Sequence, residues 1–349
     1  KMGGGGGPAG TRGGVGMCRP TGSVLAAVVA AAGLAGGCSP GGAQPPATKK
    51  SGFAEDAVPK AVELPFDQAR AVGYVKQLCD LGPRVSGTDG MAKQIELVEK
   101  HFKAHGAAVT RQEFKARQAS RREPTPFTNL IVSWHPEKAK RVLFCAHYDT
   151  RPIADQEPDR SSWTRPFLSA NDGTGGLALF MELAHHMKGV RSEVGIDFVL
   201  FDGEEYVFET RQFGGGDRYF IGSDHFADEY QRTRDTRKHT YSGGVLLDLC
   251  TAKGATLKVE LNSFTLAPDL VKQVWAVAGA TGAKSFKMEP GHEVQDDHLA
   301  LNRVGIPCVD IIDFDYPHWH KLSDTPDKIS GEQMAEVARV LISWAGVAR

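Results

Sequence analysis

The sequence predicts an α/β fold: a single domain in which a mixed, mostly parallel central sheet is sandwiched by helices. Three observations carry that prediction. From about Asp67 onward, segments with apolar residues at helical spacing alternate with short apolar runs of strand character. The runs Val142 to Ala146, Ile196 to Phe201 and Gly244 to Leu249 are near-continuously apolar, as strands buried on both faces must be. Two long loops, Arg151 to Ser169 and Tyr206 to Asp217, leave such runs, and open α/β sheets place ligands at the carboxyl ends of their strands.

The chain has 349 residues, a formal net charge of −1 and 41% hydrophobic residues, enough apolar material for a large core. Lys and Arg are scattered, so there is no basic stripe for nucleic acid, and the short run Lys138 to Arg141 reads as a solvated turn. Residues 1–38 read as a targeting segment. Arg19 precedes the small and apolar run Val24 to Leu34, which closes on Leu34-Ala35-Gly36-Gly37-Cys38 and is too short for a convincing membrane span. The terminal Cys38 resembles that of a bacterial lipoprotein signal. It implies export to the periplasm or cell surface, with lipidated Cys38 as the membrane anchor. Leu34 lies one place further from the Cys than that pattern prefers, so plain cleavage is the alternative. Lys1 to Gly16 is Gly-rich and unlike a signal, which puts the expected start of translation at Met17. Residues 39–60 read as a flexible linker and 61–349 as the folded domain.

Within that domain Met91, Ile95, Val98 and Phe102 mark a helix stopped by Gly106. Asn129 to Trp134 and Val142 to Ala146 read as neighbouring strands, with Pro136 to Lys140 turning between them. Leu177, Phe180, Met181, Ala184 and Met187 form the apolar face of the next helix, leaving His185 and His186 on its polar side with no assigned role. Ile196 to Phe201, Gly244 to Leu249 and Pro307 to Ile312 are buried strands. The final helix opens at Ser330, with Gln333 placed for a capping box, buries Met334, Val337, Leu341 and Trp344, and stops at Gly346. Cys145, Cys250 and Cys308 lie in or beside strand-like runs and are expected as buried thiols; without a CxxC pair, cysteine-ligated zinc is disfavoured.

Imidazoles and carboxylates stand at the ends of these runs. His147 and Asp149, two apart on a strand, point to one side: either His147 faces a metal while Asp149 accepts its other ring N–H, or His147 is a core histidine satisfied by a nearby carboxylate. Asp172 sits between Asn171 and Gly173, where it either caps the following helix or binds a metal with the glycines allowing close approach. Glu204 and Glu205 follow the run Ile196 to Phe201 through Asp202-Gly203. Adjacent carboxylates there need a cation or a shared proton, with one as ligand and the other as proton shuttle. Asp248 interrupts an apolar run, at a cost only pairing or a metal removes. Asp296-Asp297-His298 precedes a helix that it could equally cap, and Trp319-His320 ends the last polar cluster. Histidine and carboxylate donors suit zinc with a coordination position left open.

The ordered set resembles the zinc aminopeptidase and glutaminyl cyclase family, from Leu81-Gly82-Pro83-Arg84-Val85-Ser86-Gly87 through Asn129-Leu130-Ile131 to Asp324. The resemblance implies Asp172, Glu205 and His320 as zinc ligands and Glu204 as the proton-transferring glutamate. In the two-zinc aminopeptidases the counterparts of His147 and Asp248 complete a second metal site bridged by Asp172. In glutaminyl cyclases one zinc is held, and the counterpart of Asp248 joins a carboxylate network with that of Asp296. Leu246-Leu247-Asp248-Leu249, Gln295-Asp296-Asp297-His298 and Trp319 before His320 resemble the cyclase. Asn171-Asp172-Gly173 and Thr325-Pro326-Asp327 are peptidase-like, and Thr210 stands near where cyclases carry a second pocket tryptophan.

The resulting expectation is a zinc enzyme acting on peptide N-termini, foremost a glutaminyl-peptide cyclotransferase. Glu204, Asp248 and Asp296 are its catalytic residues and Trp319 its substrate-stacking residue. A two-zinc aminopeptidase is the alternative, and an inactive binding protein on the same fold the more remote one.

Overall fold

The computed structural model describes residues 62–209 and 216–348. The targeting segment with Met17 and Cys38, the linker to residue 60, and Thr210 lie outside the described residues. No helix among the described residues is long and apolar enough to cross a membrane.

The elements in order are α1 (Gln68–Cys79), α2 (Asp89–Ala104), β1 (Ala108–Ala116), β2 (Thr125–Trp134), β3 (Lys140–His147), α3 (Gly175–Ala184), β4 (Gly195–Phe201), α4 (Ile221–Arg232) and β5 (Thr240–Asp248). There follow β6 (Leu257–Val259), α5 (Leu261–Leu266), α6 (Pro268–Ala280), β7 (Phe286–Pro290), α7 (His298–Arg303), β8 (Cys308–Ile312) and α8 (Gly331–Ala345). Six strands form one mixed sheet in the order β1-β2-β4-β3-β5-β8, and β6 and β7 pair separately. β4, β3, β5 and β8 run parallel, so His147, Phe201, Asp248 and Ile312 end along one rim.

Alternation splits each central strand between two cores. Val142, Phe144 and Ala146 of β3, with Ile196, Phe198 and Leu200 of β4, pack against the apolar faces of α1, α2, α3, α6 and α8. Leu143, Cys145, Val199 and Phe201 pack on the opposite face, with Phe226 of α4 and Leu301 of α7. Both faces are covered, and the near-continuous apolar runs follow from that. The fold is the mixed, helix-sandwiched sheet the sequence implies.

One pairing differs from the sequence expectation. β2 and β3 are not neighbours: β4 lies between them, antiparallel to β2 and parallel to β3. Burial explains the order. Seven of the eight residues of β3 are buried, which suits a central position, whereas β2 alternates and sits nearer the edge. β1, on the edge with five of its nine residues exposed, has too little apolar content to announce itself.

Arg141 is also not part of a solvated turn. It is buried, gripping Asp197 through Nη2 at 2.6 Å and Nε at 2.9 Å, and it closes the β2–β3 turn by donating to Trp134 O and His135 O. Tyr241 donates to the same Asp197 carboxylate at 2.6 Å. Removing one partner of such a buried pair costs about 3–5 kcal/mol. At the other end of the chain the final helix forms as the sequence predicts: Ser330 Oγ accepts the Gln333 N–H at 3.1 Å, and Gly346 follows the last turn. The Gln333 side chain completes no capping box, because its amide donates to Ser285 instead. Cys79, Cys145, Cys250 and Cys308 are free and buried, as expected of packed thiols.

Candidate metal centre

Three backbone features aim side chains into the rim. His147 is the last residue of β3. Behind β4 the chain leaves strand geometry at Gly203, whose φ of 84° lets Glu204 and Glu205 turn toward one site. A side chain there would strike Phe127 at 2.5 Å. Gly173, with φ of 69°, lets the Asp172 loop press against β3: a Cβ would stand 2.4 Å from Asp149 O and 2.9 Å from His147 Cε1. His320 and Leu249, which follows Asp248, hold left-handed backbone at φ 53° and 46°. Such conformations cost about 1–3 kcal/mol each and persist where the surroundings over-determine them, as at functional sites.

The structure brings Asp172, Glu205 and His320 together: one donor atom of each lies within 4.8 Å of the others. His320 Nε2 is 3.0 Å from Glu205 Oε1 and 3.7 Å from Asp172 Oδ2. A second cluster, His147, Asp172 and Asp248, meets the same criterion, with His147 Nε2 3.1 Å from Asp172 Oδ1 and 3.4 Å from Asp248 Oδ1. Asp172 belongs to both. It caps nothing: α3 begins at Gly175 after Thr174, with no side-chain cap bond.

Asp149 behaves differently from the sequence expectation. It stands 3.6 Å from His147 Nδ1, which makes no hydrogen bond. Its carboxylate instead accepts the backbone N–H of Glu204 at 3.2 Å and of Glu205 at 3.1 Å. Asp297 likewise forms no helix cap; its Oδ1 accepts the Ser223 hydroxyl. His318 is a surface residue bonded to Ser323.

Three further site residues carry no motif that marks them in the sequence. Asp155 receives His320 Nδ1 at 2.9 Å and fixes that ring. Arg151 bridges Asp155, at 2.8 Å, and Glu205, at 3.3 Å. Asp324 accepts the N–H groups of Asn171 and Asp172 and the Tyr316 hydroxyl, holding the Asp172 loop in place. Their only sequence signal is charge within loops.

Charge balance sets the two glutamates apart. Burial, reinforced by Glu205, holds Glu204 well above the usual carboxylate range. Burial opposes ionisation of Glu205 too, but His320 and Arg151 outweigh it and hold Glu205 below that range. Asp172 is pushed up to about 6 by burial and Glu205. Against the pull of burial, Glu205 and Asp155 raise His320 to about 9, while Asp149, Asp172 and Asp248 raise His147. Behind Glu204, Asp296 and Asp310 are raised by burial and then by neighbouring aspartates, Asp248 among them.

The donor set suits a divalent cation. Asp172 Oδ2, Glu205 Oε2 and Asp248 Oδ1 are buried without hydrogen-bond partners, a costly state that a metal would relieve. A cavity of about 270 Å³ opens onto Asp172, Glu204, Glu205, Asp248, Asp296 and His320. Trp319, Phe314, Tyr219 and Phe220 form its aromatic side, and of these the sequence marks only Trp319.

Comparison with known proteins places the chain in a family. Residues 129–345 match peptidase family M28. The structure of a glutaminyl cyclase from Fimbriiglobus ruber is 55% identical, with a TM-score of 0.82, covering 85% of this chain and all of that one. A leucine aminopeptidase precursor from Bacteroides thetaiotaomicron is 31% identical at a TM-score of 0.72, covering 82% and 97%. The glutaminyl-peptide cyclotransferase-like protein of Bos taurus is 25% identical over 248 residues, 62% of this chain; the chain spans 60% of that relative's length.

Proposed function

The chain belongs to peptidase family M28, and from that premise we propose that it is a zinc-dependent glutaminyl-peptide cyclotransferase, converting N-terminal glutamine to pyroglutamate with release of ammonia. The observation that carries the reading is geometric: donor atoms of Asp172, Glu205 and His320 lie within 4.8 Å of one another, with Glu204 beside them on the same cavity. Glu205 meets His320 Nε2 at 3.0 Å and Arg151 Nη1 at 3.3 Å, which favours its charged form, and the adjacent Glu204 is left free to move a proton.

In this reading Asp172, Glu205 and His320 hold one zinc. Zinc bound there supplies Lewis acidity to the γ-amide carbonyl, worth several kcal/mol. Glu204 takes a proton from the attacking α-amine as the N–C bond closes the ring, and delivers it to the departing amide nitrogen, which leaves as ammonia. Positioned proton transfer of this kind contributes about 10²–10⁴ in rate. Asp248 and Asp296 line the same cavity as Glu204 and would steady its carboxylate through a shared proton, and Trp319, its ring centroid 4.0 Å from that of His320, would stack on the substrate side chain. A cavity of about 270 Å³ suits one side chain rather than a long peptide. The 55% identity to a glutaminyl cyclase supports the same choice.

One observation favours a second reading, a two-zinc aminopeptidase: His147, Asp172 and Asp248 form a second donor cluster sharing Asp172. There Glu204 would instead activate water. Mass analysis of Gln-led and Leu-led peptides after incubation separates the two. Cyclisation leaves the Gln peptide lighter by one ammonia with no residue lost, and the Leu peptide intact. Free leucine or glutamine would overturn the cyclase reading. Zinc bound with neither peptide changed would leave an inactive binding protein.

A further inference from the structure

Far from the rim, three histidines converge that no step above uses. His101 lies in the last turn of α2, His105 is the C-cap of the same helix, and His185 is the C-cap of α3. One ring nitrogen from each lies within 4.8 Å of the other two. The rings crowd together, with centroids 4.4 Å apart for His101 and His105 and 4.1 Å for His105 and His185. α3 begins three residues after Asp172 and is ten residues long, about 15 Å of helix. The cluster therefore occupies the opposite end of that helix from the candidate centre.

We propose that His101, His105 and His185 form a separate binding site for a zinc-class transition cation, linking the C-terminal ends of α2 and α3. Three details support it. His101 and His105 are four residues apart, so they share one helix face. Each ring spends only one nitrogen on the protein. His101 Nε2 donates to Met181 O at 2.8 Å and His105 Nδ1 to His101 O at 2.9 Å, which leaves Nδ1 of His101 and Nε2 of His105 with lone pairs. His185 Nε2 meets the Tyr74 hydroxyl at 2.7 Å, leaving its Nδ1. Anchoring one ring nitrogen so that the other faces a metal is the usual support of a histidine ligand. Finally, the C-terminal ends of α2 and α3 meet here, and the negative end of each helix dipole favours a cation. The nearby Arg70 is offset by Glu182, at 2.6 Å, which removes one source of repulsion.

Capping explains His105 and His185 one at a time but not the approach of a ring nitrogen of all three residues to within 4.8 Å of one another. Imidazole donors select zinc, nickel or copper over calcium or magnesium, and His185 at the surface leaves room for water as a further ligand.

The test is elemental analysis of the full chain dialysed against micromolar zinc, for wild type, His105→Ala, His185→Ala, Asp172→Ala and the Asp172→Ala/His105→Ala double variant. His105→Ala and His185→Ala each carry one zinc fewer than wild type while turnover stays within about twofold. Asp172→Ala retains one ion and the double variant none; calcium at the same concentration is not retained. Circular dichroism checks the fold of each variant, and the exposed His185→Ala keeps the test decisive if His105→Ala unfolds. Equal zinc in wild type and His185→Ala, or loss of every ion from a folded Asp172→Ala, would overturn the proposal.

Discussion

The Asp149 carboxylate accepts the backbone N–H of Glu205 at 3.1 Å, so a residue just beyond β3 holds the turn that follows β4. The same carboxylate takes the Glu204 N–H at 3.2 Å. It keeps both glutamates in register while standing 3.6 Å from His147 Nδ1. Replacing Asp149 with Ala frees two buried amides and is expected to weaken metal affinity by about 10–100-fold. Zinc titration into the metal-free variant reads this directly.

Glu204→Gln keeps the side chain's size and removes its proton-carrying capacity. Turnover is expected to fall by about 10²–10⁴, with zinc content and thermal stability close to wild type. A variant that kept full turnover would show that another group moves the proton.

Trp319 contributes area to the aromatic side of the cavity, packing against Phe314 with ring centroids 4.9 Å apart. Aromatic pairs of this kind are worth about 0.5–1.5 kcal/mol beyond buried area, so Trp319→Ala should lose roughly 2- to 12-fold or more in kcat/KM. The loss should be larger in KM than in kcat, as steady-state kinetics will show.

Glu260 accepts the Val294 N–H at 2.9 Å and so pins the loop that carries Gln295 and Asp296 into the site. Burial opposes its ionisation, but His298 and the amides of Val294, Asn262 and Ser263 prevail and lower it to about 2. A carboxylate lowered in the folded state stabilises above its unfolded value. The contribution, up to about 3 kcal/mol, is full above about pH 4.5 and fades as pH falls toward 2. In Glu260→Gln, chemical denaturation should show weaker acid dependence over that window.

Much of the fold and the site is legible in the sequence, for identifiable reasons. Central strands buried on both faces announce themselves as unbroken apolar runs, and carboxylates placed at their ends stand out because they are costly there. Glu204, Glu205 and Asp248 stand out in this way; Asp172 and His320 lie in loops and are marked by the family resemblance, and the fold gathers Asp172, Glu205 and His320 at one point. The order of β2, β4 and β3 is not legible, because a strand's apolar pattern shows how deeply it lies but not which strand it pairs with. Asp155 and Asp324 give no signal for a related reason. Their partners, His320 and the backbone of Asn171, are brought to them only by the fold. Arg141 misleads because a buried Arg paired to Asp197 looks, in sequence, like one more charge in a basic run.

Anomalous scattering at the zinc edge, from crystals grown with zinc, tests the central claim most directly. The account expects a peak about 2.0–2.2 Å from a carboxylate oxygen of Asp172, one of Glu205 and the Nε2 of His320, and none among His147, Asp172 and Asp248. No density at the first position would contradict the metal centre altogether, and full density at both would contradict the one-zinc cyclase.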